Sequence, residues 1–292
     1  MSHRPRKKKR KWLKRIAVIL ASLIILLAAA FAVFMYKVKN GFPYFEEEAP
    51  TVEFPENQKR ILLFSKANAF VHSEGIEAAK PVFERIAEQN NWFLYQFDEG
   101  GIFNEKQLKE FDLVIWNNVS GKVLTNQQRS DFQHYIENGG SFMGLHAAGD
   151  GSHHWDWYTQ NLIGADFSHH PIENHIQEAT LQLQNITDST FVTQNFPKSI
   201  SHDDEWYVFN ETPEKAGFTI LYQMDGEAID PSGNMLWIKN KGFGMGPEHP
   251  NMWFKEIGQG KTFYSALGHD SGAYGNEDYV RVLEEMMKWL VQ

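Results

Sequence analysis

The chain has 292 residues, 42% of them hydrophobic and 22% charged, and it contains no cysteine. That length supports one sizeable α/β core, and the absence of thiols excludes disulfides, thiolate catalysis and cysteine metal sites. The net charge is −9, yet nine Lys or Arg crowd residues 4–15, so the rest of the chain is acidic by twice that amount; an acidic body argues against nucleic acid as the main partner, because phosphate binding needs clustered positive charge.

In chain order, residues 1–15 are a basic tail and residues 16–36, "IAVILASLIILLAAAFAVFMY", carry no charge. At about 1.5 Å per residue such a run spans a hydrocarbon core of roughly 30 Å. It exceeds the usual signal-peptide apolar region, so an uncleaved single-pass signal anchor is expected. Basic residues before it place the N-terminus in the cytoplasm and the body in the periplasm or outside the cell. Residues 37–58, with "EEEAP" and "FPENQ", read as a linker. Residues 59–292 form the folded domain.

Within that domain "RILLFS" (60–65) reads as a buried strand and 73–91 as a helix capped by Ser73. Pro81 predicts a kink or a late start there. Strands are expected at 92–98, 111–118 and 141–146, with a helix at 125–140 capped by Thr125 and stopped by Gly139 and Gly140. Further strands are expected at 179–185, 218–225, 234–240 and 261–269, and a last helix at 276–292. Strands alternating with helices predict a mostly parallel sheet in a three-layer, flavodoxin-like sandwich, with its ligand site beyond the carboxyl ends of the strands.

One stretch at such a strand end, "GLHAAGDGSHHWDWY" (144–158), packs three histidines, two aspartates, two tryptophans and a tyrosine into fifteen positions. With "AFVHSEG", "GGSFMGLHAAGD", "LIGADFSHHP", "DDEWY" and "MWFKEIGQGKTFYSALGHD" in this order, residues 60–292 resemble the ThuA-like (trehalose utilisation) family. The resemblance implies a class I glutamine amidotransferase-like fold and a role in sugar metabolism. Amidotransferases place a nucleophilic cysteine at the turn after a strand; here "MGLHA" puts His146 there, which rules out cysteine-based amide hydrolysis. The chain also departs from the family at 188–193, "DSTFVT", where a His-Pro pair is common.

His72 follows the first strand, His146 the fourth, and His269 ends a late strand. Neutral imidazoles gathered by strand-end loops are most simply reconciled by a divalent metal such as zinc or by a bound polar ligand; no nucleotide cofactor is expected. His146, Asp204 and Glu205 are candidate catalytic groups, since a carboxylate beside a histidine can orient the ring, bind metal or move a proton. Trp155, Trp157, Tyr158, His170, Trp206 and Tyr207 are candidate contacts to a small carbohydrate, with aromatic faces against pyranose C–H groups. Acid–base chemistry on a carbohydrate or keto-sugar follows, as isomerisation, elimination or hydrolysis. A non-catalytic sugar-binding module is the alternative, and a structural surface protein with incidental histidines a third reading.

Overall fold

The computed structural model describes residues 6–186, 191–234 and 245–292. Its strands are β1 (Arg60–Phe64), β2 (Phe93–Phe97), β3 (Leu113–Asn117), β4 (Ser141–Leu145), β5 (Phe167–His169), β6 (Ile176–Leu183), β7 (Ser199–Glu205), β8 (Val208–Phe209), β9 (Thr219–Asp225), β10 (Glu248–Ile257) and β11 (Gly260–Ser265). Among the described residues nine of them form one sheet in the order β2-β1-β3-β4-β11-β10-β9-β6-β7, and β5 pairs with β8.

The strands from β2 to β11 are mutually parallel, as the strand–helix alternation requires. Their apolar residues alternate between two buried layers. Ile61 and Leu63 pack with Phe83 and Leu283 on one face; Leu62 and Phe64 pack with Phe103 and Phe132 on the other. Beyond β11 the pairings turn antiparallel. β6 joins β9 through only two residue pairs, Gln182 with Gln223 and Leu183 with Tyr222. Over seven pairs it is bound instead to β7, so this hairpin splays from the sheet.

The helices fall close to their expected positions. Asn126–Glu137 starts at a capping box in which Thr125 Oγ1 accepts from Gln128 N–H and Gln128 Oε1 accepts from Thr125 N–H, a device worth about 1 kcal/mol. Asn276 caps Glu277–Leu290. Ser73–Gln89 differs from expectation: its N-cap is His72, whose carbonyl accepts from Ile76 N–H, and the helix continues through Pro81 without a late start. Ser73 is already in the first turn, so its hydroxyl caps nothing.

Four strands went unforeseen: β5, β7, β8 and β10. β7 runs through "SISHDDE", where polar residues suggested a loop, because the hairpin exposes one of its faces. The strand expected at 234–240 lies, beyond Asn234, outside the described residues, as do residues 188–190 of the family departure.

Ahead of the domain, Arg6–Asn40 is one helix. Its stretch Arg10–Val38 is long and apolar enough to cross a bilayer, and none of its apolar window is buried. Residues 41–58 have no regular structure, but they lie against the domain: Gln128 Nε2 donates to Glu46 O, and Arg60 Nε donates to Pro55 O.

Candidate functional site

The carboxyl ends of three parallel strands bring three imidazoles together. His72 sits between the loop after β1 and the helix Ser73–Gln89, His146 is the residue after β4, and His269 lies in the loop after β11. His146 turns the chain sharply, with φ at 44° in the left-handed region, a conformation non-glycine residues seldom hold without a structural or functional reason. Ring centroids are 4.7 Å apart for His72 and His146, 5.1 Å for His72 and His269, and 5.3 Å for His146 and His269.

A carboxylate completes the group. Glu205 is the last residue of β7, and the splayed hairpin carries it over the parallel strands. Its Oε2 lies 3.4 Å from His146 Nε2, 3.4 Å from His269 Nδ1 and 3.9 Å from His72 Nε2. Its Oε1 lies 3.1 Å from Nδ1 of His170, the half-buried residue just past β5. One donor atom from each of His72, His146, Glu205 and His269 falls within 4.8 Å of all the others.

Hydrogen bonding fixes what these atoms offer. His146 Nδ1–H donates to the Ala266 carbonyl at 2.7 Å, so in the neutral ring Nε2 carries the lone pair. Burial pushes the His146 pKa down to about 4, so that ring is neutral at pH 7. Burial also lowers His72, against the opposing pull of Glu205. Burial alone would raise the Glu205 carboxyl, but His146, His269 and His72 outweigh it and hold the carboxyl below its ordinary range. Burial would lower His269, yet Glu205 raises it above the ordinary imidazole value. A lone pair on His146 Nε2 thus faces an ionised carboxylate oxygen. Neither His146 Nε2 nor His269 Nδ1 has a hydrogen-bond partner, although both atoms are buried. Two electron-rich atoms facing each other in a dry site are stable only with a cation or proton between them. Three imidazole nitrogens and one carboxylate oxygen are a donor set suited to zinc or a similar divalent ion.

Asp204 holds the frame. It is buried, its Oδ1 accepts from Glu205 N–H at 2.7 Å, and its Oδ2 accepts from Gly268 N–H at 3.1 Å. Both oxygens are therefore engaged, Oδ1 on the Glu205 backbone within β7 and Oδ2 in tying β7 to the His269 loop, a positioning task. Burial raises the Asp204 pKa to about 7, partly offset by those two amides. Asn118 was not anticipated: its Nδ2 donates to Gly268 O and its Oδ1 accepts from Ala147 N–H, linking the loops of His146 and His269. Tyr264 adds an O–H donor to His146 O at 2.8 Å.

The aromatic candidates divide. Tyr207 reaches the cluster, its ring 4.1 Å from that of His146. Trp206 is fully buried, with Nε1–H donating to Gln177 O. Tyr158 is buried against Trp116 at 4.8 Å and donates to Ala148 O. Trp155 stacks on Tyr158 and Trp157 under the Arg129 guanidinium. These four pack in the apolar layers instead of around Glu205, because flat rings beside a buried strand cover more apolar area there. His153 also turns inward, donating from Nδ1 to Gly121 O.

A cavity of about 750 Å³ lies at the opposite end of the sheet, beside Asp112, Tyr135, Gly140 and Leu290. It contains none of the cluster, so chemistry and not volume marks the site.

Residues 60–290 match the family model ThuA, described as trehalose utilisation. Among solved structures, a ThuA-like protein from Bacteroides uniformis shares a TM-score of 0.64 at 21% identity, over 83% of this chain and 95% of that one. A ThuA-like protein from Parabacteroides merdae shares 0.55 at 16% identity, over 81% and 91%. At such identities the likeness speaks to the fold alone. No curated protein matches the chain.

Proposed function

The chain belongs to the ThuA (trehalose utilisation) family, and from that premise we propose that it is a membrane-anchored enzyme performing metal-assisted acid–base chemistry on a carbohydrate or keto-sugar outside the cytoplasm. The observation that carries this reading is the convergence of the unpartnered His146 Nε2 and His269 Nδ1 on Glu205 Oε2, with His72 beside them. His72, His146 and His269 would hold the ion, with Glu205 in reach as a fourth donor. A bound divalent ion supplies Lewis acidity, polarising a carbonyl or hydroxyl oxygen.

The chain's own residues account for the rest. Ala266 O fixes the His146 tautomer, so that Nε2 points into the site. Asp204 and Asn118 hold the strand and loops that carry Glu205 and His269. Glu205 Oε1 faces His170 Nδ1 at the half-buried rim, where a carboxylate and an imidazole stand in reach of an incoming sugar. Tyr207 packs on His146 and excludes water from its ring face. The apolar helix Arg10–Val38 anchors the domain, and the basic residues before it place the body outside.

The test is metal content of the full chain, purified in detergent without a His-tag, beside His146→Ala and Glu205→Gln. Stoichiometric divalent metal in the wild type, lost in both variants at unchanged circular dichroism, supports the reading. The loaded protein is then assayed against keto-sugars and disaccharides. Absence of metal after dialysis against zinc and manganese would overturn it.

A further inference from the structure

The apolar helix is fastened to the domain at the same end as the site. Gly41 closes the helix, its N–H donating to Lys37 O, and it holds φ at 70°. A Cβ at Gly41 would collide with the Asn68 carbonyl, so the chain passes very close to the loop after β1. Phe42 N–H donates to that same Asn68 O at 3.1 Å, and Asn68 Nδ2 donates to Tyr44 O and Lys122 O. Two residues later Glu46 forms an ion pair with buried Lys66 and accepts from Gly100 N–H. The segment after the helix is thus a strap, pinned first on the loop that leads into His72. A flexible tether would leave the domain free to tumble; this strap sets which end faces the membrane.

The surface points the same way. Among the described residues beyond the helix, the exposed large apolar side chains are Phe42, Tyr44, Phe45, Phe70, Val71, Ile172 and Val192. The first three begin the strap, Phe70 and Val71 directly precede His72, and Ile172 follows His170 by two residues. Phe70 packs its ring 4.8 Å from that of His72, and its carbonyl is held by Ser120 Oγ. Val192 alone belongs elsewhere: its neighbour Phe191 packs on Trp289 near the C-terminus, and Leu290 O is bonded to Ser141 at the start of β4. Exposed apolar groups gathered on one face mark an interaction surface, and aromatic and branched side chains beside a membrane span favour the lipid–water interface.

We infer that the carboxyl-end face of the domain rests on the bilayer through Phe42, Tyr44, Phe70 and Val71, so that the histidine–glutamate site opens at the membrane interface. The inference rests on the proposed anchor, and one experiment separates the two. Because the chain has no cysteine, single-cysteine variants can carry a polarity-sensitive NBD label without further changes. Ile24→Cys, Phe70→Cys and Val192→Cys, all at exposed positions, are reconstituted as full chains in phosphatidylcholine–phosphatidylglycerol vesicles containing doxyl lipids. The label at residue 24 is expected to be quenched by deep doxyl groups. The label at residue 70 is expected to be quenched by shallow ones, several-fold more than at residue 192. Quenching at 24 with equal signals at 70 and 192 would overturn the inference and leave the anchor standing, with the apolar rim serving the site's own ligand. No quenching at 24 would overturn the anchor and the inference together.

Discussion

Glu205 and Asp150, two carboxylates near the carboxyl end of this sheet, both face histidine, and their groups behave in opposite ways. Glu205 is reached by His72, His146, His170 and His269, delivered by four separate strand ends. Asp150 lies 4.0 Å from His153, three residues away in the same loop. The Asp150 group makes most of its bonds to the backbone and side chains around it: Asp150 Oδ1 accepts from Ser152 N–H and O–H, Ser152 Oγ accepts from Gly121 N–H, and His153 Nδ1 donates to Gly121 O, which leaves His153 Nε2 as its one unpartnered ring nitrogen. The Glu205 group leaves ring nitrogens unpartnered around one point. A local cluster tends to close its own hydrogen bonds and stabilise a loop. A convergent one keeps unshared lone pairs, and such atoms bind ligands.

The largest effect should separate the two histidines. His146→Ala is expected to weaken metal binding by on the order of 100-fold or more, since loss of supporting partners alone costs roughly 10–100-fold. His153→Ala should leave metal affinity nearly unchanged and instead lower stability by about 2–4 kcal/mol, because it empties space packed between Trp116 and Tyr158. Chelator competition and urea unfolding on both variants check this. If His153→Ala also lost the metal, the distinction between the groups would collapse.

That distinction explains what the sequence revealed. His72, His146 and His269 stood out because each follows an apolar strand of a parallel sheet, where ligands gather. Glu205 was visible as a carboxylate beside aromatic residues, but its position was not. β7 is the far edge strand, and only a hairpin joined to β9 by two residue pairs returns it to the site, a long-range geometry without local signature. Trp155, Trp157, Tyr158 and Trp206 suggested cleft walls by composition, yet flat rings pack equally well in a core. Asn118 escaped notice because an asparagine after a strand reads as a turn residue; it does hold φ at 53°, but its side chain also bridges two site loops.

A smaller effect tests the framing of the convergent group. Asp204→Asn keeps the size but places an amide N–H₂ against one of the two backbone N–H donors it now accepts from. Metal affinity should fall roughly 10–100-fold, as for other supporting partners of ligands. The circular dichroism spectrum should stay the same. An affinity equal to wild type would show that the His269 loop needs no such tie.

The smallest effect is a pH dependence, and it should appear in the local group. Burial raises the Asp150 pKa from its ordinary value to about 7, despite two opposing hydrogen bonds from Ser152. Folded Asp150 therefore keeps its proton at pH 5, whereas the unfolded chain has released it. The folded state binds the extra proton, so the stability this group contributes declines as pH rises toward 7 and is lost above it. Burial lowers His153 to about 4, so its contribution runs the other way and is lost as pH falls from about 6.5 to 4. Asp150→Asn mimics the protonated acid and can still accept from Ser152. It should match the wild type below about pH 4 and gain on it by roughly 1.4 kcal/mol per pH unit from there toward pH 7, as read by urea unfolding at pH 5, 6.5 and 8. His153 is present in both proteins, so its contribution cancels in their difference and the change with pH isolates Asp150. A difference that stayed flat across this range would mean that Asp150 is ionised when folded. The local group would then carry a buried charge of its own, and the contrast with Glu205 would rest on convergence alone.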